Sequence, residues 1–451
     1  MAGISLTIRY EQILWSFFFL SIAFLLMPWI HGHDGAGYYS LARSIVVDGD
    51  LNLENEYAYF QQDLNLATMR RDPNTGKIYS QYPVGTSLIW LPAVYAAHGV
   101  SLLLGEPATG FTKIYYWFTC FWSALLAFIA FTQLFRFLQS TFDRSVAFWA
   151  ALAGWLGTNL FYYMFFEASM SHAVSFFLMT MFFLQCYQLQ YGKPTNTYSA
   201  WSITGVLAGL IFITRYQDGI VWLLPGVIAL RSYVNIFKNK RYVDLGPTVL
   251  AHSLMVLAIA ITVSPDLILN FLQHENIWAS GPNYYYGAFH TDQWWYALKV
   301  LFSPHHGLIY WHPVVGVGIL GLFMLPRPQE RILLLTVIFL QVLVTGFWSF
   351  WHAAQSFGHR FFVGYIPLFI YGLCCLQKHV GKQGIRIVRV LFAVLILLNL
   401  LLMMQYGLRM IPAEGPLDIT QFIANLDKIP EIVEGVLDFI RSKVVPEPGG
   451  S

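Results

Sequence analysis

The chain reads as an all-α polytopic membrane protein with a long first extracytoplasmic loop. Three observations predict this. Of its 451 residues, 57% are hydrophobic and only 11% charged, against roughly 25% charged in soluble domains. The mean hydropathy is +0.54. The apolar runs are mostly about 18–25 residues long, the length an α-helix needs to cross hydrocarbon. No strand-rich segment, internal repeat or low-complexity tract stands out. The net charge of +2 does not speak to partners, because in such a chain only the sidedness of charge is informative. Nucleic acid is not an expected partner.

About eleven spans follow from window length, at roughly 12–30, 112–136, 145–163, 172–190, 198–213, 219–235, 247–264, 312–326, 332–349, 361–377 and 388–407. The first follows Arg9 as a signal peptide would. It ends in Trp29-Ile30-His31 without a small-residue cleavage site, so it reads as a retained anchor. Residues 31–110 form the first outer loop. Within it, 84–104 is apolar but follows Pro83 and contains Pro92 and His98, the marks of a juxtamembrane or re-entrant helix. Residues 1–407 thus make one transmembrane domain. Residues 408–451 make an outer tail with helical spacing over 419–444. Cys120, Cys186, Cys374 and Cys375 all fall in apolar runs without metal-ligand spacing and read as small core residues.

Charge sidedness orients the chain. With the N-terminus inside, one set of short loops carries Arg136, Arg144, Lys193, Arg231, Lys238, Lys240, Arg241, Arg327, Arg331, Lys378, Lys382, Arg386 and Arg389, the signature of a cytoplasmic face. Counting 84–104 as a full crossing would turn the later basic loops outward. The opposite face receives Asp34, Glu167, His172, Arg215, Asp218, His352, His359 and Arg360. Nearly every polar cluster able to do chemistry lies there.

Asp34 stands just after the first span. Tyr38, Leu41, Ala42 and Ile45 follow it at helical spacing, as in an amphipathic helix on a membrane surface. Helix capping and catalysis are both open to Asp34. Asp48-Gly49-Asp50 lacks the glycine and distal acid of a calcium loop and reads as a solvated turn. Glu167 and His172 sit at one outer corner, as substrate groups or as polar residues closing a turn. Arg215 and Asp218 could pair with each other, or Arg215 could face an anion; near hydrocarbon it needs a partner. In the 265–311 loop, the tyrosines at 284–286 read as an interfacial belt. Adjacent His305 and His306 lack an evident third ligand, so no metal site is expected. Gly358 permits close backbone approach, and the planar guanidinium of Arg360 suits a phosphate, with snorkelling as the alternative.

The strings Asp-Gly-Ala-Gly-Tyr-Tyr-Ser-Leu-Ala-Arg (34–43), Tyr-Pro-Val-Gly-Thr-Ser (82–87), Met-Ser-His-Ala (170–173), Arg-Tyr-Gln-Asp (215–218), Ser-Pro-His-His-Gly-Leu (303–308) and Ser-Phe-Gly-His-Arg-Phe (356–361) together resemble the GT-C fold. This is the fold of integral membrane glycosyltransferases that use lipid-linked sugars, including protein O-mannosyltransferases and the lipid A aminoarabinose transferase. The likeness is closest to bacterial members and covers about residues 10–380. It implies a polyprenyl-phosphate-linked sugar donor, an acceptor lipid, glycan or protein, and membrane lipids as surroundings. It also implies that Asp34 is the general base. Two departures stand out. Gly35 follows Asp34 where those families have Glu, and Gln81-Tyr82-Pro83-Val84 stands where the aminoarabinose transferase has a lysine before Pro-Pro.

A lipid phosphate leaving group needs cations, and Arg360, then Arg215, are the candidates. His33, Tyr82, Glu167, His172, His305 and His359 are candidates for the substrate site. One base and direct displacement imply inversion. No cofactor is required on this reading, with a divalent ion left open. The expected setting is the bacterial inner membrane, with the site facing the periplasm or exterior. The rival classes are a transporter or flippase of a lipid-linked substrate, and a metal-dependent phosphatase using the histidines.

Overall fold

The structure, a computed structural model, describes residues 10–30, 32–64, 71–192, 194–278, 289–431, 433–435 and 437. The tyrosines at 284–286, Lys193 and most of the tail after residue 431 lie outside the described residues. Among the described residues the only β pairings are two isolated bridges, Arg71 with Ile78 and Phe289 with Trp348. The chain is an all-helical, multi-pass membrane protein.

In chain order the helices are α1 (Tyr10–Leu25), α2 (Gly32–Arg43), α3 (Glu54–Leu64), α4 (Gly85–Leu104), α5 (Lys113–Thr141), α6 (Arg144–Leu156), α7 (Leu160–Phe165), α8 (Ser171–Tyr191) and α9 (Thr197–Thr214). They continue with α10 (Leu223–Lys238), α11 (Leu245–His274), α12 (Tyr296–Phe302), α13 (Leu308–Trp311), α14 (Pro313–Phe323), α15 (Pro328–Phe347), α16 (Ile366–His379), α17 (Gly381–Gly407) and α18 (Ile419–Ala424). Short 3₁₀ turns, Tyr216–Trp222 and Arg360–Tyr365, lead into α10 and α16.

Among the described residues, nine helical stretches are long and apolar enough to cross a membrane. Eight coincide with expected spans, and the ninth is α4. The other three expected spans fall on shorter helices, α1 of 16 residues, α6 of 13 and α14 of 11, so eleven full-length spans are not found. The reason is visible at α6. The expected 145–163 span breaks at Gly157-Thr158-Asn159, and the carbonyls released there are taken up by the Asn399 amide, 2.8 Å from Leu156 O and 2.9 Å from Thr158 O. A second correction concerns the loop expected to begin at 265. Helix α11 runs through Pro265 and ends only at His274.

Helix α4 lies against the first part of α5. His98 hydrogen-bonds Tyr115, the Trp90 indole donates to Ser123, and the Trp122 indole donates to Ile89 O. The far part of α5 instead meets α1, where Arg136 Nε is 2.9 Å from Glu11. Helices α8 and α16 run from one pole of the bundle to the other. Helix α8 starts beside Arg215 and ends at Tyr191, whose ring lies under the Arg327 guanidinium. Helix α16 follows the turn that starts at Arg360 and ends beside Lys378, which faces Phe142. The basic loops therefore collect at the pole opposite Arg215 and Arg360.

The tail folds back onto the site pole. Leu417 N–H donates to Pro304 O, Gly415 N–H to His305 Nε2, and Ser356 N–H to Ala413 O, at 3.0, 3.1 and 3.2 Å.

Candidate active site

Helix α2 departs from the surface helix its spacing suggests, because every residue from Gly35 to Arg43 is buried. Small residues allow this. Gly37 lets the Tyr82 ring lie directly on the helix: a Cβ at that position would fall 2.2 Å from two ring carbons. Tyr82 and Tyr38 then pack with ring centroids 5.0 Å apart. Ser87 donates to Tyr38 O at 2.7 Å, tying the start of α4 to α2. The departure at Gly35 also has a steric cause. A Cβ there would meet the backbone oxygen of Ser169 at 3.1 Å, a tight fit that leaves little room for a glutamate. The Asp48 turn belongs to the same frame, since Arg43 pairs with Asp48 and, at 2.6 Å, with buried Glu56.

Above this frame opens a cavity. Four segments wall it: Asp34 and Tyr38 of α2, Gln81–Pro83 before α4, Thr214–Gln217 at the end of α9, and the stretch after α15 that includes Trp348, Arg360 and Phe361. Asp34 sits in the first turn of α2, and its Oδ2 lies 3.0 Å from Arg360 Nη1. The Asp34 side chain is 19% exposed and that of Arg360 8%, so the pair is accessible from the cavity yet largely shielded from water. Gly358 makes this approach feasible. It adopts φ +63°, and a Cβ on it would strike His312 Nε2 at 2.0 Å.

Arg215 reaches the same cavity from the end of α9. Its Nε is 3.5 Å from Asp218, and its Nη1 is 2.8 Å from His172 Nδ1. The Phe361 ring centroid lies 5.1 Å from the Arg215 guanidinium carbon and 5.6 Å from that of Arg360, so one aromatic ring serves both cations. Tyr38 keeps its proton: burial, and then the Asp34 carboxylate, push its pKa up to about 12. The hydroxyl hydrogen-bonds Ser171 Oγ at 3.3 Å.

Of the residues singled out by sequence, the cavity gathers Asp34, Tyr82, Arg215 and Arg360. The others stand elsewhere. His33 is exposed on α2. Glu167 is buried and accepts the Tyr162 hydroxyl at 2.9 Å. His172 sits behind Arg215. His305 stacks on His352 with centroids 4.5 Å apart, beneath the tail. His359 is buried against Phe361 and Phe362, and burial holds its pKa well below the usual histidine value. Among the described residues no group of three His, Cys, Asp or Glu is placed to hold a metal ion.

Sequence reasoning missed Asp266. Its Oδ2 accepts the Tyr216 hydroxyl at 2.7 Å and its Oδ1 the Val84 N–H at 3.2 Å, fastening two walls of the cavity to α11. The available signal was a carboxylate set in an otherwise apolar run, which is costly without partners.

No known protein family matches this chain, and no curated protein matches it. Among solved structures it is similar to the crystal structure of ArnT from Cupriavidus metallidurans bound to undecaprenyl phosphate, with 12% identity and a TM-score of 0.48, covering 98% of this chain and 76% of that one. It is also similar to the apo structure of ArnT from the same organism, with 13% identity and a TM-score of 0.46, covering 96% of this chain and 74% of that one.

Proposed function

We propose that the protein is a membrane glycosyltransferase that moves a sugar from a polyprenyl-phosphate donor to an acceptor hydroxyl. The observation that carries this reading is the Asp34–Arg360 pair in one cavity with Arg215: a proton acceptor and two cations at the rim of an apolar bundle. The donor phosphate binds between Arg360 and Arg215, its lipid tail passing between helices. Asp34 takes the proton of the acceptor hydroxyl. The acceptor oxygen bonds to the anomeric carbon as the bond from that carbon to the phosphate oxygen breaks, and the lipid phosphate leaves with the electron pair. The two guanidinium groups stabilise that growing charge, each on the order of 3 kcal/mol where water is excluded. Direct displacement inverts the anomeric centre, and Tyr82 and Tyr38 floor the sugar site.

The sidedness of the basic loops supports a cavity on the outer face of a bacterial inner membrane, with the N-terminus in the cytoplasm. The acceptor is a lipid, a glycan or a protein.

The test uses purified protein in lipid with a panel of radiolabelled polyprenyl-phosphate sugars, comparing wild type with Asp34→Asn. Lipid-phosphate release that depends on Asp34 supports the reading. Labelled lipid crossing the bilayer with no donor consumed replaces it with a flippase.

A further inference from the structure

A guanidinium group has N–H bonds on three nitrogens and accepts none. In Arg215 two of the nitrogens are engaged by the protein. Nε faces Asp218 Oδ2 at 3.5 Å. Nη1 lies 2.8 Å from His172 Nδ1 and 3.5 Å from Ser171 Oγ. Among the described residues Nη2 has no acceptor, although it is buried.

The short contact to His172 fixes that ring's chemistry. Because Nη1 can only donate, His172 Nδ1 is the acceptor, so the ring proton is on Nε2 and the ring is neutral. A protonated His172 would set N–H against N–H and charge against like charge.

Asp218 is fixed in its turn. It accepts the Ser175 hydroxyl at 3.1 Å and the Gln341 amide at 3.4 Å, and Gln341 accepts the Tyr365 hydroxyl at 3.0 Å. Residues from α8, α15 and the two 3₁₀ turns thus converge on one side chain that itself lines the cavity. That is more polar construction than a helix end needs for solubility, and all of it is buried.

We infer that His172 and Asp218 are positioning residues: they hold Arg215 so that its Nη2 edge is presented to the donor's phosphate, and His172 does so only as the neutral ring protonated on Nε2. This rests on the reading that Arg215 binds phosphate. It assigns His172 a role behind the site rather than in contact with substrate.

The experiment measures binding of undecaprenyl phosphate to the full-length protein in nanodiscs, with thermal stability recorded alongside. Arg215→Gln, His172→Leu, Asp218→Asn and the double variant His172→Leu/Arg215→Gln are compared with wild type. Arg215→Gln and His172→Leu are each expected to weaken binding about tenfold, as for a lost charge-assisted hydrogen bond. Asp218→Asn is expected to weaken it severalfold. In the Arg215→Gln background the further loss from His172→Leu should shrink to less than about twofold, because residues acting through one another are not additive. Additive losses overturn the inference.

His172→Asn keeps an acceptor near the Nδ1 position. It should bind within about threefold of wild type, and a tenfold loss in the folded variant also overturns the inference, so the test survives a His172→Leu that does not fold. If Arg215→Gln binds like wild type, the reading of Arg215 as a phosphate ligand fails instead. If Arg215→Gln binds weakly while His172→Leu and Asp218→Asn are unaffected, that reading stands and the positioning role fails.

Discussion

Asp34 Oδ2 and Arg360 Nη1 stand 3.0 Å apart, joining the end of the first apolar run to the turn that opens the tenth expected span. The proton acceptor and the phosphate ligand of the proposed reaction are each other's counter-ions. Donor entry therefore meets an arginine already held by a carboxylate, and the phosphate must share or take over that nitrogen.

Asp34→Asn separates the two roles. Turnover should fall by about 10²–10⁴-fold, the usual contribution of a general base. Affinity for polyprenyl phosphate should equal or exceed that of wild type, since Arg360 loses its competing charge. Rate measurements beside lipid-phosphate binding check this. A variant with full turnover removes Asp34 as the base.

Arg360→Lys keeps the charge but loses the planar fork. We expect the donor KM to rise about tenfold, with the acceptor KM little changed. Steady-state kinetics with each substrate varied in turn read the split. Equal effects on both would place Arg360 outside the donor subsite.

Gly37→Ala drives a Cβ into the Tyr82 ring, which lies 2.2 Å from its ideal position. Overpacking of this kind costs about 1–3 kcal/mol, read as a lower Tm and a raised donor KM. In a Tyr82→Ala background the same change should be nearly silent. An equal loss there would mean that the clash lies elsewhere.

Asp266→Ala should leave the Tyr216 hydroxyl and the Val84 N–H without their acceptor, a loss of about 1–3 kcal/mol. Tyr216→Phe, which removes one of those bonds, should lose less. A melting comparison of the two variants decides whether Asp266 fastens both walls.

Acid should destabilise the fold by way of its buried histidines. Burial pulls the pKa of His306 down to about 3 and that of His359 well below the ordinary value, whereas in the unfolded chain both take a proton near pH 6.5. Protons therefore favour the unfolded chain. The stability is complete above about pH 6.5 and drains away as pH falls toward 3, by up to about 1.4 kcal/mol per pH unit for each histidine. Melting across pH 7.5 to 4.5 should show the decline, and His306→Gln should flatten it. A Tm that rises on acidification contradicts the assignment.

Asp34, Arg215 and Arg360 were legible in the sequence because an ionisable residue at the end of an apolar run is expensive unless it has a partner or a task, and loop charge told which ends share a pole. The segment holding Tyr82 was legible from its place at the close of the first loop. Side-chain direction was not. His33, His305, His359 and Glu167 belong to the same pole, yet each turns to solvent, to another ring or to a tyrosine rather than to the cavity.

The burial of α2 was hidden by the helical spacing of Tyr38, Leu41, Ala42 and Ile45, which reads as one apolar face. The better clue lay in the small residues Gly35, Ala36, Gly37 and Ser40, because small residues mark helices that neighbours approach closely. Asp266 was hidden by Pro265, which reads as a helix end although α11 continues through it.

The tail and the Asp34–Arg360 pair together set an order on the protein's birth. Asp34 leaves the ribosome early and Arg360 only after most of the bundle has been made. The 411–418 segment comes later still, and it adds bonds to Pro304, His305 and Ser356 beside the Arg360 loop. A nascent chain stalled ahead of that segment holds nearly all of its helices and both members of the ion pair, but not these three ties between the tail and the site pole.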